Sequence, residues 1–207
     1  SSTSRGLGDV YKRQVFRNFC LNLVNKNEWR KNDQIQHKRK PARRRGLHRL
    51  RVAESMSNIV SRPRLGISSC LLGKPVRFDG GHKRNNYVTG TLSEYFDFVS
   101  FCPEQAIGLP TPRKPIRLIN NADGPDVRAV EVRDYSLEYT QQLDDYARSV
   151  TPEMSGFSGY IVKKDSPSCG MERVKVYGKE NSPPDKRGVG IFTARLMAQR
   201  PDLPVEE

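Results

Sequence analysis

The chain has 207 residues, with 36 Lys and Arg against 23 Asp and Glu, for a formal charge of +13. That charge is lopsided: residues 1–55 carry 15 basic against 4 acidic side chains, while residues 56–207 carry 21 against 19, which argues against nucleic-acid binding by this nearly neutral body. No apolar run reaches the roughly 18 residues of a membrane span, no secretory leader pattern is seen, and four dispersed cysteines make no disulfide scaffold, so reduced thiols and a cytoplasmic location are expected.

Residues 1–55 do not read as a folding unit. His37-Lys38-Arg39-Lys40 and Arg43-Arg44-Arg45 sit in a stretch with little apolar periodicity, a composition that leaves too little surface to bury against chain entropy. A disordered basic extension is expected here. Residues 4–14 look like the translation of a transposon-type sequencing adaptor, which makes the extension translated upstream DNA and Met56 the natural start. The competing reading is a basic RNA-binding arm attached to a non-catalytic metal-binding module. Residues 56–207 are expected to form one α/β domain.

Residues 65–69 form a short apolar run that stops at Cys70 and Gly73, as a buried strand entering a loop would. Asp79-Gly80-Gly81 marks a turn, and Val88, Leu92, Tyr95 and Phe96 recur at helical spacing. Residues 98–101 read as a second strand, ending at Cys102-Pro103-Glu104. Three prolines (Pro110, Pro112, Pro115) mark a connection before a strand over 116–119, and residues 127–132 alternate like another. Tyr139, Leu143, Tyr146, Ala147 and Val150 form one stripe of a helix expected from about Ser136, with Ser136 as its N-cap. Residues 159–162 make the next strand, running into Ser166-Pro167-Ser168-Cys169-Gly170; a short strand over 174–177 and a final helix over 190–197 follow. Strands alternating with helices predict an α/β domain, a mostly parallel sheet flanked by helices with cysteine loops at the carboxyl ends of strands. Ligands of such sheets collect beyond those ends.

Cys70, Cys102 and Cys169 are 32 and 67 positions apart, too far for a local metal motif. Each nevertheless follows an expected strand, and parallel strands would bring all three to one edge. A lone cysteine is commonly a small buried hydrophobe; three in equivalent positions point to a shared ligand. Zinc and an iron–sulfur cluster are the two candidates, with His82 a possible fourth ligand. A hydrolase with a cysteine nucleophile is a weaker reading, because its partner would have to be His37, His48 or His82.

Read in order, Ser69-Cys70-Leu71-Leu72-Gly73, Val76-Arg77-Phe78-Asp79-Gly80, Cys102-Pro103-Glu104, Ile107-Gly108-Leu109-Pro110, Ser166-Pro167-Ser168-Cys169-Gly170 and Gly188-Val189-Gly190-Ile191-Phe192 resemble a bacterial family of thiouracil desulfidases, long known only as a domain of unknown function. The resemblance covers residues 64–207. It implies a 4Fe-4S cluster held by Cys70, Cys102 and Cys169, a catalytic carboxylate at Glu104 and a catalytic serine at Ser166. The implied reaction converts 2-thiouracil to uracil and hydrosulfide without net electron transfer. Sulfur would be captured by the open iron, and water would be activated by Glu104 and Ser166. Asp79, His82, Arg113, Lys163 and Ser168 are candidate substrate contacts, and Ser168 could instead be the active hydroxyl. Glu104 also suits the first turn of a helix, and Ser166 an ordinary turn before proline.

Overall fold

Short apolar runs broken by glycine, proline and serine build most of the eight strands and three α-helices among the described residues. The structure, a computed structural model, describes residues 62–120, 127–178 and 183–207; the expectations for residues 1–55 lie outside them. Strands β1 (Arg64–Ser68), β2 (Asp97–Phe101), β5 (Phe157–Ile161) and β8 (Val205–Glu206) form a fully parallel sheet in the order β2-β1-β5-β8. Helix α1 (Pro103–Ala106) follows β2 directly, while α2 (Thr140–Val150) and α3 (Ile191–Gln199) are the longer pair.

The α/β class and the parallel sheet flanked by helices are as the sequence predicts. A second sheet is not foreseen there: β3 (Ile116–Asn120), β4 (Val127–Glu131), β6 (Val174–Tyr177) and β7 (Asp185–Gly188) run in the order β4-β3-β6-β7. Only β3 and β6 are parallel in it; both outer pairs are antiparallel.

Helices α2 and α3 lie between the two sheets. Ala147 and Val150 of α2 and Phe192 and Leu196 of α3 pack with Tyr160 and Val162 against the parallel sheet. Leu143 and Ile191, from the same helices, join Leu118, Ala129, Val174 and Val176 of the mixed sheet. Leu65 and Ile67 line the opposite face of the parallel sheet, covered by Val88, Leu92, Tyr95 and Phe96. Asp144 on α2 ties the helices together, accepting from Arg195 of α3 and from Arg148 one turn along. Among the described residues no helix is long and apolar enough to cross a membrane.

Two sequence expectations need correction. The apolar spacing over 88–96 gives no regular α-helix but a π turn at Tyr87–Thr91 and a 3-10 turn at Leu92–Glu94. Thr89, Gly90 and Thr91 are poor helix formers, and the Ser93 hydroxyl bonds back to the carbonyls of Thr89 and Gly90. The helix expected from Ser136 begins at Thr140 instead, and Ser136 does not cap it. Asp134 holds the Ser136 amide and hydroxyl in a turn, and the Tyr139 amide donates to the Ala129 carbonyl. Pairing with β4 therefore outcompetes another helical turn.

The first turn of α3 finds its hydrogen-bond partners in the loop that carries Cys169. The amides of Gly190, Ile191 and Phe192 donate to the carbonyls of Gly170, Pro167 and Ser168, satisfying donors that a helix start would otherwise leave open. The buried Thr193 hydroxyl donates to the Cys169 carbonyl at 2.6 Å. Such backbone-to-backbone contact needs glycine at 190, where a Cβ would lie 2.5 Å from the Ser168 carbonyl carbon.

Gly190→Ala is expected to destabilise the fold by about 1–3 kcal/mol in urea denaturation, whereas Gly90→Ala, with open space around it, stays within about 0.5 kcal/mol. Desolvation pushes the Asp144 carboxyl up, but the Arg195 and Arg148 hydrogen bonds outweigh it and hold the group below its ordinary value. A carboxyl held low contributes stability above its unfolded pKa and loses it as pH falls through the folded one. Asp144→Asn should therefore destabilise at pH 7, with the difference from wild type shrinking as denaturation is repeated down through the carboxylate range.

Candidate active site

Neighbouring strands β2, β1 and β5 run in the same direction, so their carboxyl ends share one edge. Cys70 sits in the 3-10 turn Ser69–Leu72 that follows β1, Cys102 is the residue before α1, and Cys169 lies in the loop beyond β5. All three line one cavity of about 380 Å³, together with Glu104, Arg113, Lys163, Ser166 and Ser168. Burial pushes the three thiols up from their ordinary value, Cys169 to about 12. Lys163 works against that rise at Cys70.

Glu104 is in the first turn of α1, as its place after Pro103 suggests, yet its side chain also reaches across the cavity. Its Oε2 accepts from Arg113 Nε at 2.8 Å and Nη2 at 2.6 Å, a fork that is 5% exposed against a carboxylate 13% exposed. The remaining oxygen, Oε1, accepts from Ser168 Oγ at 2.7 Å. Ser168 Oγ is in turn 3.0 Å from Ser166 Oγ, and Ser166 Oγ accepts from the Cys169 amide at 3.2 Å. Directions along this chain are set at both ends, because a carboxylate only accepts and an amide N–H only donates. Ser168 donates to Glu104, which leaves its oxygen to accept from Ser166.

Arg113 is anchored well beyond the carboxylate. Its Nη2 donates to the Val76 carbonyl at 3.0 Å, and its amide donates to the Phe78 carbonyl at 2.8 Å. The Arg113 expected as a substrate contact thus holds Glu104 and the 76–78 loop in place. Lys163 lines the cavity half-buried, its amide donating to the Ser68 hydroxyl, and burial lowers its pKa. Asp79 and His82 are not among the cavity-lining residues. Asp79 accepts from the Gly81 amide and pairs with Arg77, and His82 Nδ1 accepts from the Arg84 amide on an exposed loop. Sequence reasoning missed Arg77, Phe78 and Lys83 as wall residues. Their signal was the Asp79-Gly80-Gly81 turn, which folds residues 76–83 back over the cysteine edge.

Comparison with known proteins identifies the family. A family model described as 2-thiouracil desulfurase matches residues 65–207. The uncharacterized protein YbbK of Bacillus subtilis (strain 168) is 30% identical over 143 residues, which span 64% of this chain and 88% of that protein. A solved structure of the 4Fe-4S-dependent thiouracil desulfidase TudS superposes with a TM-score of 0.53 at 29% identity, covering 70% of this chain and 89% of its own. The family match runs through every element that lines the cavity, from β1 to the end of the chain; this chain belongs to the 2-thiouracil desulfurase family and is a desulfidase.

Proposed function

We propose that residues 56–207 form a domain that removes sulfur from a thiolated pyrimidine, 2-thiouracil in the simplest case, releasing uracil and hydrosulfide, with Cys70, Cys102 and Cys169 holding a 4Fe-4S cluster. The observation that carries this reading is the hydrogen-bonded run Ser166–Ser168–Glu104–Arg113 beside three buried thiols in one cavity. The donor set suits such a group. Three thiols line one cavity, and thiolates are the ligands that iron–sulfur clusters take. The dependence of TudS on a 4Fe-4S cluster supports the same assignment. When bound, the cluster supplies a thiophilic iron without a protein ligand, suited to hold a thiocarbonyl sulfur.

The rest of the chemistry falls to the protein's own groups. With Oε2 occupied by Arg113, Glu104 Oε1 is the oxygen that takes a proton. A water that loses its proton to Ser166 Oγ passes it through Ser168 Oγ to Glu104 Oε1, each hydroxyl giving one proton as it receives one. The resulting hydroxide attacks the thiocarbonyl carbon, a C–O bond replaces the C–S bond, and sulfur departs as hydrosulfide. Ser168 is thereby a relay between Ser166 and Glu104 rather than an alternative to Ser166. Phe78 offers a half-exposed ring to a pyrimidine face at the cavity wall, and Lys163 a cation to a carbonyl oxygen of the base. Reduced thiols fit a cytoplasmic location.

The test is anaerobic reconstitution of the full chain, followed by iron and acid-labile sulfide analysis and by hydrosulfide release from 2-thiouracil, 4-thiouracil and a thiolated uridine nucleotide. Expected are bound cluster, turnover, loss of iron in each Cys→Ser variant, and a fall of about 10²- to 10⁴-fold in kcat/KM for Glu104→Gln with iron retained. Ser168→Ala should cost less, since a water can complete the chain of hydrogen bonds. Removing residues 1–55 should leave turnover unchanged; salt-dependent RNA binding lost with that segment, and no turnover, would favour the RNA-binding alternative. Arg113→Gln should cost about 3–5 kcal/mol in urea denaturation, because it leaves the Glu104 charge buried and unpaired. Combining Arg113→Met with Glu104→Gln should restore most of that loss.

A further inference from the structure

Tyr160 occupies the centre of the parallel sheet, 1% exposed, with its ring against Phe101 of β2 and Phe192 of α3 at centroid distances of 5.7 and 5.9 Å. Space for that ring is made by Gly66 on β1, its register partner, where a Cβ would lie 2.2 Å from Tyr160 Cδ2. The ring therefore crosses over β1 toward β2, beneath the edge that carries the cysteines. Its hydroxyl is buried and has no hydrogen-bond partner among the described residues. Cys169 belongs to the same packed cluster, and Cys169, Cys102 and Cys70 are all within electrostatic reach of the phenol. Phenylalanine would fill this apolar site at no polar cost. A buried hydroxyl without a partner is expensive, and its presence calls for an acceptor.

We propose that the Tyr160 hydroxyl is a positioning donor, giving a hydrogen bond to a sulfur of the iron–sulfur group held by Cys70, Cys102 and Cys169, and so raising that group's reduction potential. The inference rests on the cluster assignment made above. A donor beside a sulfur stabilises the more negative, reduced form, one of the levers that set cluster potentials. The phenol is suited to donate only: complete burial drives its pKa well above the ordinary value, so the proton stays on oxygen.

The experiment compares the full-length wild type with Tyr160→Phe, both reconstituted without oxygen. Iron and acid-labile sulfide are measured first, then the potential by dye-mediated titration followed by electron paramagnetic resonance. Tyr160→Phe should keep its iron and shift the oxidised-to-reduced equilibrium about tenfold, about 59 mV toward more negative potential for a one-electron couple. Without iron, its urea midpoint should be unchanged or higher, because the change removes an unpaired polar atom. Position 160 bearing 3-fluorotyrosine, a stronger donor of nearly the same shape, should shift the potential the other way; this arm decides the question if Tyr160→Phe fails to fold. Iron-loaded wild type with no shift in either direction would overturn the inference and leave the cluster assignment standing. Wild type that takes up no iron would overturn the cluster assignment, and this inference with it.

Discussion

Parallel pairing of β1 with both β2 and β5 is the constraint on which the site depends. Parallel strands cannot be joined by a hairpin, so every connection must leave one end of the sheet and return to the other. All three strands consequently release their chain at the same edge, and the residues that follow them meet there although up to 99 positions separate Cys70 from Cys169 in the sequence. Loops at that edge would be free to wander were they not tied to rigid elements. The Cys169 loop is fixed by the first turn of α3, the Cys70 turn by the Lys83 and Asn85 amides donating to the carbonyls of Cys70 and Leu71, and Cys102 by the start of α1.

Charge places a second demand on the same space. A carboxylate largely removed from water needs a compensating cation and satisfied lone pairs, and Arg113 with Ser168 supplies both to Glu104. Arg113 comes from the segment that leads into β3, so the mixed sheet, which carries no cysteine of the edge, still furnishes one wall. Thiols held above their ordinary value by burial must lose protons before they can ligate a metal, so the proposed cluster assignment couples loading to proton release. Lys163, beside Cys70, lowers that barrier electrostatically.

How much of this could be read from residues alone follows from the range of the interactions. Strands β1, β2 and β5 were legible because each is a short apolar run, the first two halted at a cysteine and the third at Lys163-Lys164, and their shared direction gave the cysteine edge. Strand β7 was not: Asp185-Lys186-Arg187 are exposed and only Gly188 is buried, so no alternation betrays it. Strand β8 is two residues long. The late start of α2 was hidden because Asp134 and the pairing of residues 137–139 with β4 act on a sequence whose apolar spacing is helical throughout. At the site, residue types were legible and partnerships were not. Arg113 finds Glu104 nine positions away and Ser168 finds it 64 away, and nothing in spacing says which arginine or serine will do so. Asp79 and His82 sit close to the cysteine edge in sequence but spend their hydrogen bonds inside their own turn.

In the proposed reaction a chain of two hydroxyls takes the place of a base at the cysteines themselves. A carboxylate in direct contact with thiolates would suffer like-charge repulsion, and its electrostatic influence on Cys102 and Cys169 already raises both. Placing Glu104 on α1, anchored by Arg113, keeps the charge at a distance while its hydrogen bonds run inward through Ser168 to Ser166. Ser166 is held by the amide of Cys169, so the last hydroxyl of this hydrogen-bonded chain and the third thiol are fixed by one short loop. Gly190 sets how closely α3 can press on that loop. Helix packing, cysteine placement and the proposed proton transfer thus share a single piece of backbone, which makes residues 166–170, together with the start of α3, the segment where fold and proposed chemistry are least separable.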